Sequence, residues 1–301
     1  MKRPLKDASP PRAAARTRTA APARTAIAAC AAAVIGVAAV ICILAVWGNR
    51  DTFSVEKSAP APYESPYDWT NLERDAERLA YAEDGQTRSR SGIDVSEHQG
   101  VIDWQAVAAD GIDFAFVRVG NRGYTEGALY ADARCAENLD GADAAGLAVG
   151  AYFFSQATDA DEAREEADFV VGLLAGRRLD LPVAFDHEPV PDGAGRANGL
   201  SGQALADCAA AFCERLEEAG YDTMVYGNKN DMARLCAIDG TQEAADGLNE
   251  TLGGRPIWFA EYDAAAPSAQ FDFAIWQYTN TGSVAGIATP VDLDVLLPAA
   301  P

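Results

Sequence analysis

From Gly92 to the C-terminus, short segments rich in Val, Ile, Phe and Tyr alternate with stretches of helical character, and few architectures accommodate that pattern. The strand-like segments are 92–96 (GIDVS), 114–120 (FAFVRVG), 148–154 (AVGAYFF), 182–188 (PVAFDHE), 223–228 (TMVYGN), 256–262 (PIWFAEY), 273–279 (FAIWQYT) and 292–295 (DLDV). Helices are clearest at 159–175, opened by Thr158, and at 201–219, opened by Ser201 and stopped by Gly220. The first would bury Ala163, Ala167, Val170 and Leu174, and the second Leu205, Phe212 and Leu216. Strands alternating with helices through short connections imply a parallel sheet, and eight strands imply that it closes. The expected fold is therefore α/β, an irregular TIM-like (β/α) barrel over residues 91–301. The last three segments lie too close together for full helices between them, so about five helices are expected.

A chain of 301 residues carries enough mass for a barrel-sized core. Its formal net charge is −21, but the two ends differ in sign. In residues 1–25, Lys2, Arg3, Lys6, Arg12, Arg16, Arg18 and Arg24 face only Asp7, which reads as a basic cytoplasmic tail. Everything after it is strongly acidic and would repel a phosphate backbone, so no nucleic acid partner is expected. Residues 26–47 are apolar and uncharged over a length that crosses a bilayer as a helix. They read as a single transmembrane signal anchor; a cleaved secretory signal is the alternative, but no convincing cleavage site follows Trp47. Basic residues on one flank and Asp51, Glu56 and Glu64 on the other place the N-terminus in the cytoplasm and the rest outside the cell membrane. Residues 48–90 read as an extracellular stalk, with a short helix over 71–83 suggested by Leu72, Ala76, Leu79 and Ala80.

Of the six cysteines, Cys30 and Cys42 fall in the apolar run. Cys135, Cys208, Cys213 and Cys236 would face an oxidising exterior, where Cys236 could pair with Cys208 or Cys213 on an adjacent helix. Cys208 and Cys213 lie five apart on one helix and cannot pair with each other. Their spacings match no compact zinc pattern, and neither a metal nor a cofactor is expected.

In PVAFDHE, Asp186 and Glu188 fall on one strand face and His187 on the other. In a parallel barrel catalytic groups gather at the strands' C-terminal ends, and Asp94, Asp186, Glu188 and Asp292 all fall at or near such an end. Taken singly, Asp94 or Asp292 reads more simply as a helix cap or a solvated loop residue. Together, four acids at one mouth raise the pKa of at least one and suit it to act as an acid.

The segments GIDVSEHQGVIDW, FDHE, GYDTMVYGN, PIWFAEYD, FAIWQYT and VDLDV occur in the order seen in glycoside hydrolase family 25 lysozymes, which residues 92–297 resemble throughout. The resemblance implies N-acetylmuramidase activity, cleaving the β-1,4 bond between N-acetylmuramic acid and N-acetylglucosamine in peptidoglycan strands, in an irregular barrel without a cofactor. It makes Glu188 the general acid and Asp186 its close partner, and it likens Asp94 and Asp292 to two further acids of the family. It also likens Tyr152, Tyr226, Trp258 and Arg118 to substrate-binding positions, for which ordinary barrel filling is the plain alternative. The closing motif reads VDLD where the family more often has VDLN, and Asp292 rather than Asp294 aligns with the acid. Two other functions remain open at this point: a non-catalytic glycan-binding barrel, or a glycosidase of the same fold acting on another glycan. The stereochemistry is also open. Backbone spacing between Asp186 and Glu188 leans toward inversion, whereas an acid beside an Asp suits a substrate-assisted, retaining route, which is favoured because the sugar carries an acetamido group.

Overall fold

The computed structural model describes residues 59–300, and the expected tail and membrane span at 1–47 lie outside them, as do residues 48–58 of the expected stalk. Three short strands come first: β1 (Leu72–Asp75), β2 (Arg78–Glu83) and β3 (Gln86–Thr87), paired antiparallel in a sheet of their own. The helix expected over 71–83 is thus replaced by a hairpin. Leu79 and Tyr81 alternate inward along β2, a period of two that buries both, whereas the helical spacing rested on two alanines. The turn between β2 and β3 is Asp84-Gly85, both at positive φ (51° and 70°), the backbone that a two-residue hairpin loop requires.

The barrel strands are β4 (Arg90–Val95), β5 (Phe114–Arg122), β7 (Ala148–Phe154), β8 (Val183–Asp186), β9 (Thr223–Asn228), β10 (Ile257–Ala260), β11 (Ile275–Gly282) and β12 (Val291–Leu296), with β6 (Leu129–Ala131) folded back on β5. They pair in the order β4-β5-β7-β8-β9-β10-β11-β12, and β12 returns to β4 to close the ring. Six α-helices accompany them: α1 (Trp104–Ala109), α2 (Cys135–Ala144), α3 (Ala160–Leu174), α4 (Gln203–Glu218), α5 (Lys229–Leu235) and α6 (Gln242–Thr251). No helix separates β10, β11 and β12, as their spacing foretold. Among the described residues no helix is long and apolar enough to cross a membrane.

Two helix starts differ from expectation. Asp159, not Thr158, caps α3, its carboxylate accepting from the amides of Asp161 and Glu162, while the Thr158 hydroxyl donates to Glu162. The chain enters α4 through Gly202 at φ 58°, and Ser201 makes no cap. The four described cysteines are free thiols, so the disulfide weighed between Cys236 and α4 does not form. Burial pushes the Cys208 and Cys213 thiols up to about 12, which keeps them unreactive.

Alternation divides the strand side chains into two cores. Outward-facing Ile93, Val117, Phe153, Phe185, Val225, Phe259 and Trp276 pack beneath the helices, where Phe212 of α4 meets Phe153 and Phe185 at ring separations of 6.2 and 5.2 Å. Inward-facing Phe114, Phe116, Ala184, Met224, Trp258 and Ile275 fill the barrel. Gly92 belongs to this interior: the Phe114 ring occupies the space that a Cβ there would need. The apolar filling stops partway up, and above it the inward positions become acidic.

One strand departs from the all-parallel expectation. β12 runs antiparallel to both β4 and β11, pairing Asp292 with Asp94 and Asp294 with Gly92. In a strictly parallel barrel, Asp292, near the start of its strand, would lie at the opposite end. Reversal of β12 brings it to the mouth where β4 and β8 end.

Candidate active site

Asp94, Tyr152, Asp186, Glu188, Tyr226, Trp258, Tyr262, Gln277 and Asp292 line an open cavity of about 200 Å³ at that mouth. Seven of the eight side chains expected from the sequence are therefore together. Arg118 is not among them: it is held by Asp132 at 2.8 Å and Glu97 at 3.4 Å, with the His98 ring 3.5 Å away, and acts on the cavity as a nearby positive charge. Trp258 forms the floor. Its ring is 4.5 Å from Phe116, 4.8 Å from Tyr226 and 6.0 Å from Tyr152, and it is 1% exposed, so it supports the site from below more than it offers a free face. Its Nε1 donates to Asp294 Oδ1 at 2.8 Å. Asp294, two residues along the same strand face from Asp292, is thereby tied into the barrel interior, and Asp292 is the one of the pair that meets the cavity.

Glu188 stands two residues beyond the end of β8, not on the strand as expected. Backbone contacts place it instead. Ser155 N donates to the Asp186 carbonyl at 2.7 Å, Arg234 Nη1 to the His187 carbonyl at 3.1 Å, and Gln156 Nε2 to the Glu188 carbonyl at 2.9 Å. Further along this loop, Arg196 grips Glu162 of α3 with two 2.7 Å bonds, and Asn198 bonds both the amide and carbonyl of Val190 at 2.8 Å. His187 turns away from the cavity, stacked on Phe185, with its ring beside Arg234. Among the described residues no three His, Cys, Asp or Glu side chains are grouped to hold a metal ion.

Burial pushes the Glu188 carboxyl up to about 7, and the charge of buried Asp231 adds to it. Burial likewise carries Asp292 to about 6. Asp94 rises well above its ordinary value through burial and then the charges of Asp292 and Asp294; Asp186 rises through burial and then Glu188. Asp186 and Glu188 both line the cavity and each acts on the other's titration, so the two carboxyls bind protons as a pair. Asp186 Oδ1 has no protein partner among the described residues.

These shifts carry a sign for stability. A carboxyl whose folded pKa exceeds its unfolded value binds more protons when folded, so its contribution is lost as pH rises between the two values, here from about 4.5 to about 7. Glu162 has the opposite sign: although partly buried, its bonds from Arg196 and Thr158 hold it at about 2, and its contribution is lost as pH falls below about 4.5. Thermal stability is therefore expected to peak near pH 5 and to decline toward pH 7.5. A Tm that is flat or rising over that interval contradicts the assignment of the raised carboxyls.

Three participants were not anticipated. Gln277 and Tyr262 sit inside quoted segments, IWQYT and FAEY, without having been singled out, and Asp231 lies on α5, which was not foreseen. A signal for Gln277 was present: a lone amide on the inward face of a strand otherwise filled by apolar groups needs partners inside the barrel.

A closed eight-stranded barrel whose strand ends bring paired carboxyls and aromatic walls to one mouth defines a class, the barrel glycoside hydrolases. The description of Glycosyl hydrolases family 25 matches residues 93–287, which include Asp94, Asp186 and Glu188 and stop short of Asp292. An autolytic lysozyme of Clostridium acetobutylicum is 30% identical over 203 residues, 67% of this chain and 54% of its own length. Lysozyme M1 of Streptomyces globisporus is 30% identical over 212 residues, 68% of this chain and 67% of its own. The crystal structure of a bacterial lysozyme from Streptomyces coelicolor superposes with a TM-score of 0.51 at 26% identity, covering 68% of this chain and 90% of that one. The chain belongs to glycosyl hydrolase family 25. It spans about half the length of the Clostridium relative.

Proposed function

We propose that this chain is a lysozyme that cleaves the β-1,4 bond between N-acetylmuramic acid and N-acetylglucosamine in peptidoglycan. The observation that carries this reading is the Asp186–Glu188 pair at the cavity, with Glu188 raised to about 7 by burial and so protonated where a general acid must be. Glu188 protonates the departing glycosidic oxygen. Asp186 lines the same cavity two residues away and acts directly on the titration of Glu188. That proximity favours the substrate-assisted route, in which Asp186 orients the acetamido group and its carbonyl oxygen attacks the anomeric carbon with net retention. Asp94 and Asp292, adjacent across the β4–β12 pairing, add negative potential in their ionised forms, which favours the developing oxocarbenium charge. Tyr152 and Tyr226 flank the sugar above the Trp258 floor, and Arg118 tempers the negative charge from the side.

Incubating the full chain with purified peptidoglycan and identifying the new reducing end by mass spectrometry tests the reading. N-acetylmuramic acid is expected there. N-acetylglucosamine at that end, or intact strands, refutes it.

The reading extends to location. Residues 26–47 anchor the enzyme in the cell membrane in a single pass with the N-terminus cytoplasmic, supported by the uncharged run and its basic flank. The acidic catalytic region is then held beside the wall at high effective concentration. Protease added to protoplasts is expected to remove the barrel-bearing part and spare the N-terminal tail; release of the barrel as a free soluble product before digestion marks a cleaved signal instead.

A further inference from the structure

Gln277, on β11, makes three short hydrogen bonds at the cavity and is 3% exposed. Its Nε2 donates to Asp94 Oδ2 at 2.6 Å. Its Oε1 accepts from the hydroxyls of Tyr226 at 2.8 Å and Tyr262 at 2.7 Å. Three partners from β4, β9 and the segment after β10 thus converge on one amide. The directions of these bonds are not independent. A carboxylate can only accept, so an ionised Asp94 requires the Nε2 side, and this leaves Oε1 to face the two phenols, which must then spend their protons on it. Turning the amide over would set two oxygens 2.6 Å apart unless Asp94 carried the proton.

We infer that Gln277 is a positioning residue that holds Asp94 as an oriented carboxylate and, through the same amide, turns the lone pairs of Tyr226 and Tyr262 toward the cavity. With Asp94 and Asp292 also present, this wall accepts hydrogen bonds and donates few. It selects a ligand that offers donors, such as the N–H of an acetamido group or ring hydroxyls, and it disfavours an acidic substituent at that spot. The assignment rests on the lysozyme reading for its substrate, but the bond directions stand apart from it.

Two measurements on the full chain separate the two. In Gln277→Glu both tyrosine bonds can persist while the Asp94 donor becomes an oxygen, so two carboxyls must share a proton. Loss of a bond to a charged group predicts that kcat on peptidoglycan falls about 10- to 100-fold while KM changes less than about threefold. The acidic limb of the kcat profile is expected to move up by about one pH unit or more, because the shared proton is retained to higher pH. An unmoved limb, or kcat within about threefold of wild type, overturns the inference. The second measurement needs no turnover. In ¹⁵N-edited spectra the Gln277 side-chain amide, identified by its loss in Gln277→Met, should shift with pH as Asp94 titrates and stop doing so in Asp94→Asn. An amide indifferent to Asp94 overturns the inference. A responsive amide in a chain that leaves peptidoglycan intact refutes the lysozyme reading alone.

Discussion

Glu188→Gln is expected to lower peptidoglycan hydrolysis by about a hundredfold to ten-thousandfold, the usual cost of losing a general acid, with little change in Tm. The amide is close to isosteric but has no proton to give the departing oxygen. The fold should tolerate it because the backbone at this position is held from outside the side chain, by Arg234 on the His187 carbonyl and Gln156 on the Glu188 carbonyl. Removing the carboxyl also removes one of the charges that raise Asp186, so stability should if anything improve at neutral pH. The wild-type rate should fall as pH rises through about 7, where Glu188 gives up its proton, and the residual rate of the variant should lack that limb. Asp186→Asn is a useful contrast, since an amide can still orient an acetamido group in part but cannot stabilise the positive charge that develops on it; its loss should be smaller than that of Glu188→Gln. Hydrolysis by Glu188→Gln within about threefold of wild type would remove Glu188 from the acid's role.

Strands β7 to β10 were legible because they bury both faces and so read as nearly continuous apolar runs, and β7 and β9 begin and end where the sequence places them. The reversal of β12 was not. Strand direction is set by which neighbour accepts the edge, and a short connection from β11 permits an antiparallel return without leaving any local mark in VDLDV. The meeting of Asp94 and Asp292 was therefore anticipated by motif order, and its cause is a topological feature the sequence does not display. Glu188 illustrates a similar limit. Period-two reasoning put it on the face of Asp186, and both carboxyls do line the cavity, although β8 ends at Asp186 and the loop after it is shaped by side chains from the segment after β7, from α3 and from α5. Arg118 shows the reverse case: the position matched the family pattern, but Asp132 and Glu97 engage its guanidinium beside the cavity. The hairpin at 72–87 was misread because its stability lies in what it covers, which the segment's own composition, rich in charge, conceals.

What that hairpin covers makes a strong prediction about where the catalytic unit begins. Judged from the sequence, a chain starting at residue 91 contains every barrel strand but the first residue of β4, and the family match begins later still, at 93. The structure places residues 59–89 inside the same compact unit. Tyr63 N donates to the Gly240 carbonyl and Gln242 N to the Ala61 carbonyl, both at 2.9 Å, so the incoming chain is stitched to the start of α6. The Tyr67 hydroxyl donates to the Pro298 carbonyl at 2.7 Å, Trp69 stacks on Phe273 at 5.8 Å with an interplanar angle of 4°, and Arg78 pairs with Asp110 at 2.6 Å. Leu79 and Tyr81 are 4% and 1% exposed. Full burial of a large apolar side chain contributes about 1.5–3 kcal/mol, so Leu79, Tyr81 and the partly buried Trp69 and Tyr67 together contribute on the order of 5–8 kcal/mol. Domains of this size hold only about 5–15 kcal/mol in total. A chain beginning at residue 91 is therefore expected to be insoluble, or to melt about 10–30 °C below one beginning at residue 59, since each kcal/mol moves Tm by about 2–4 °C at this length. Trp69→Ala in the longer chain should give a partial version of the same loss, about 1–2 kcal/mol, because the ring is only half covered. Equal melting temperatures for the two chains would show that the hairpin rests on the barrel without stabilising it.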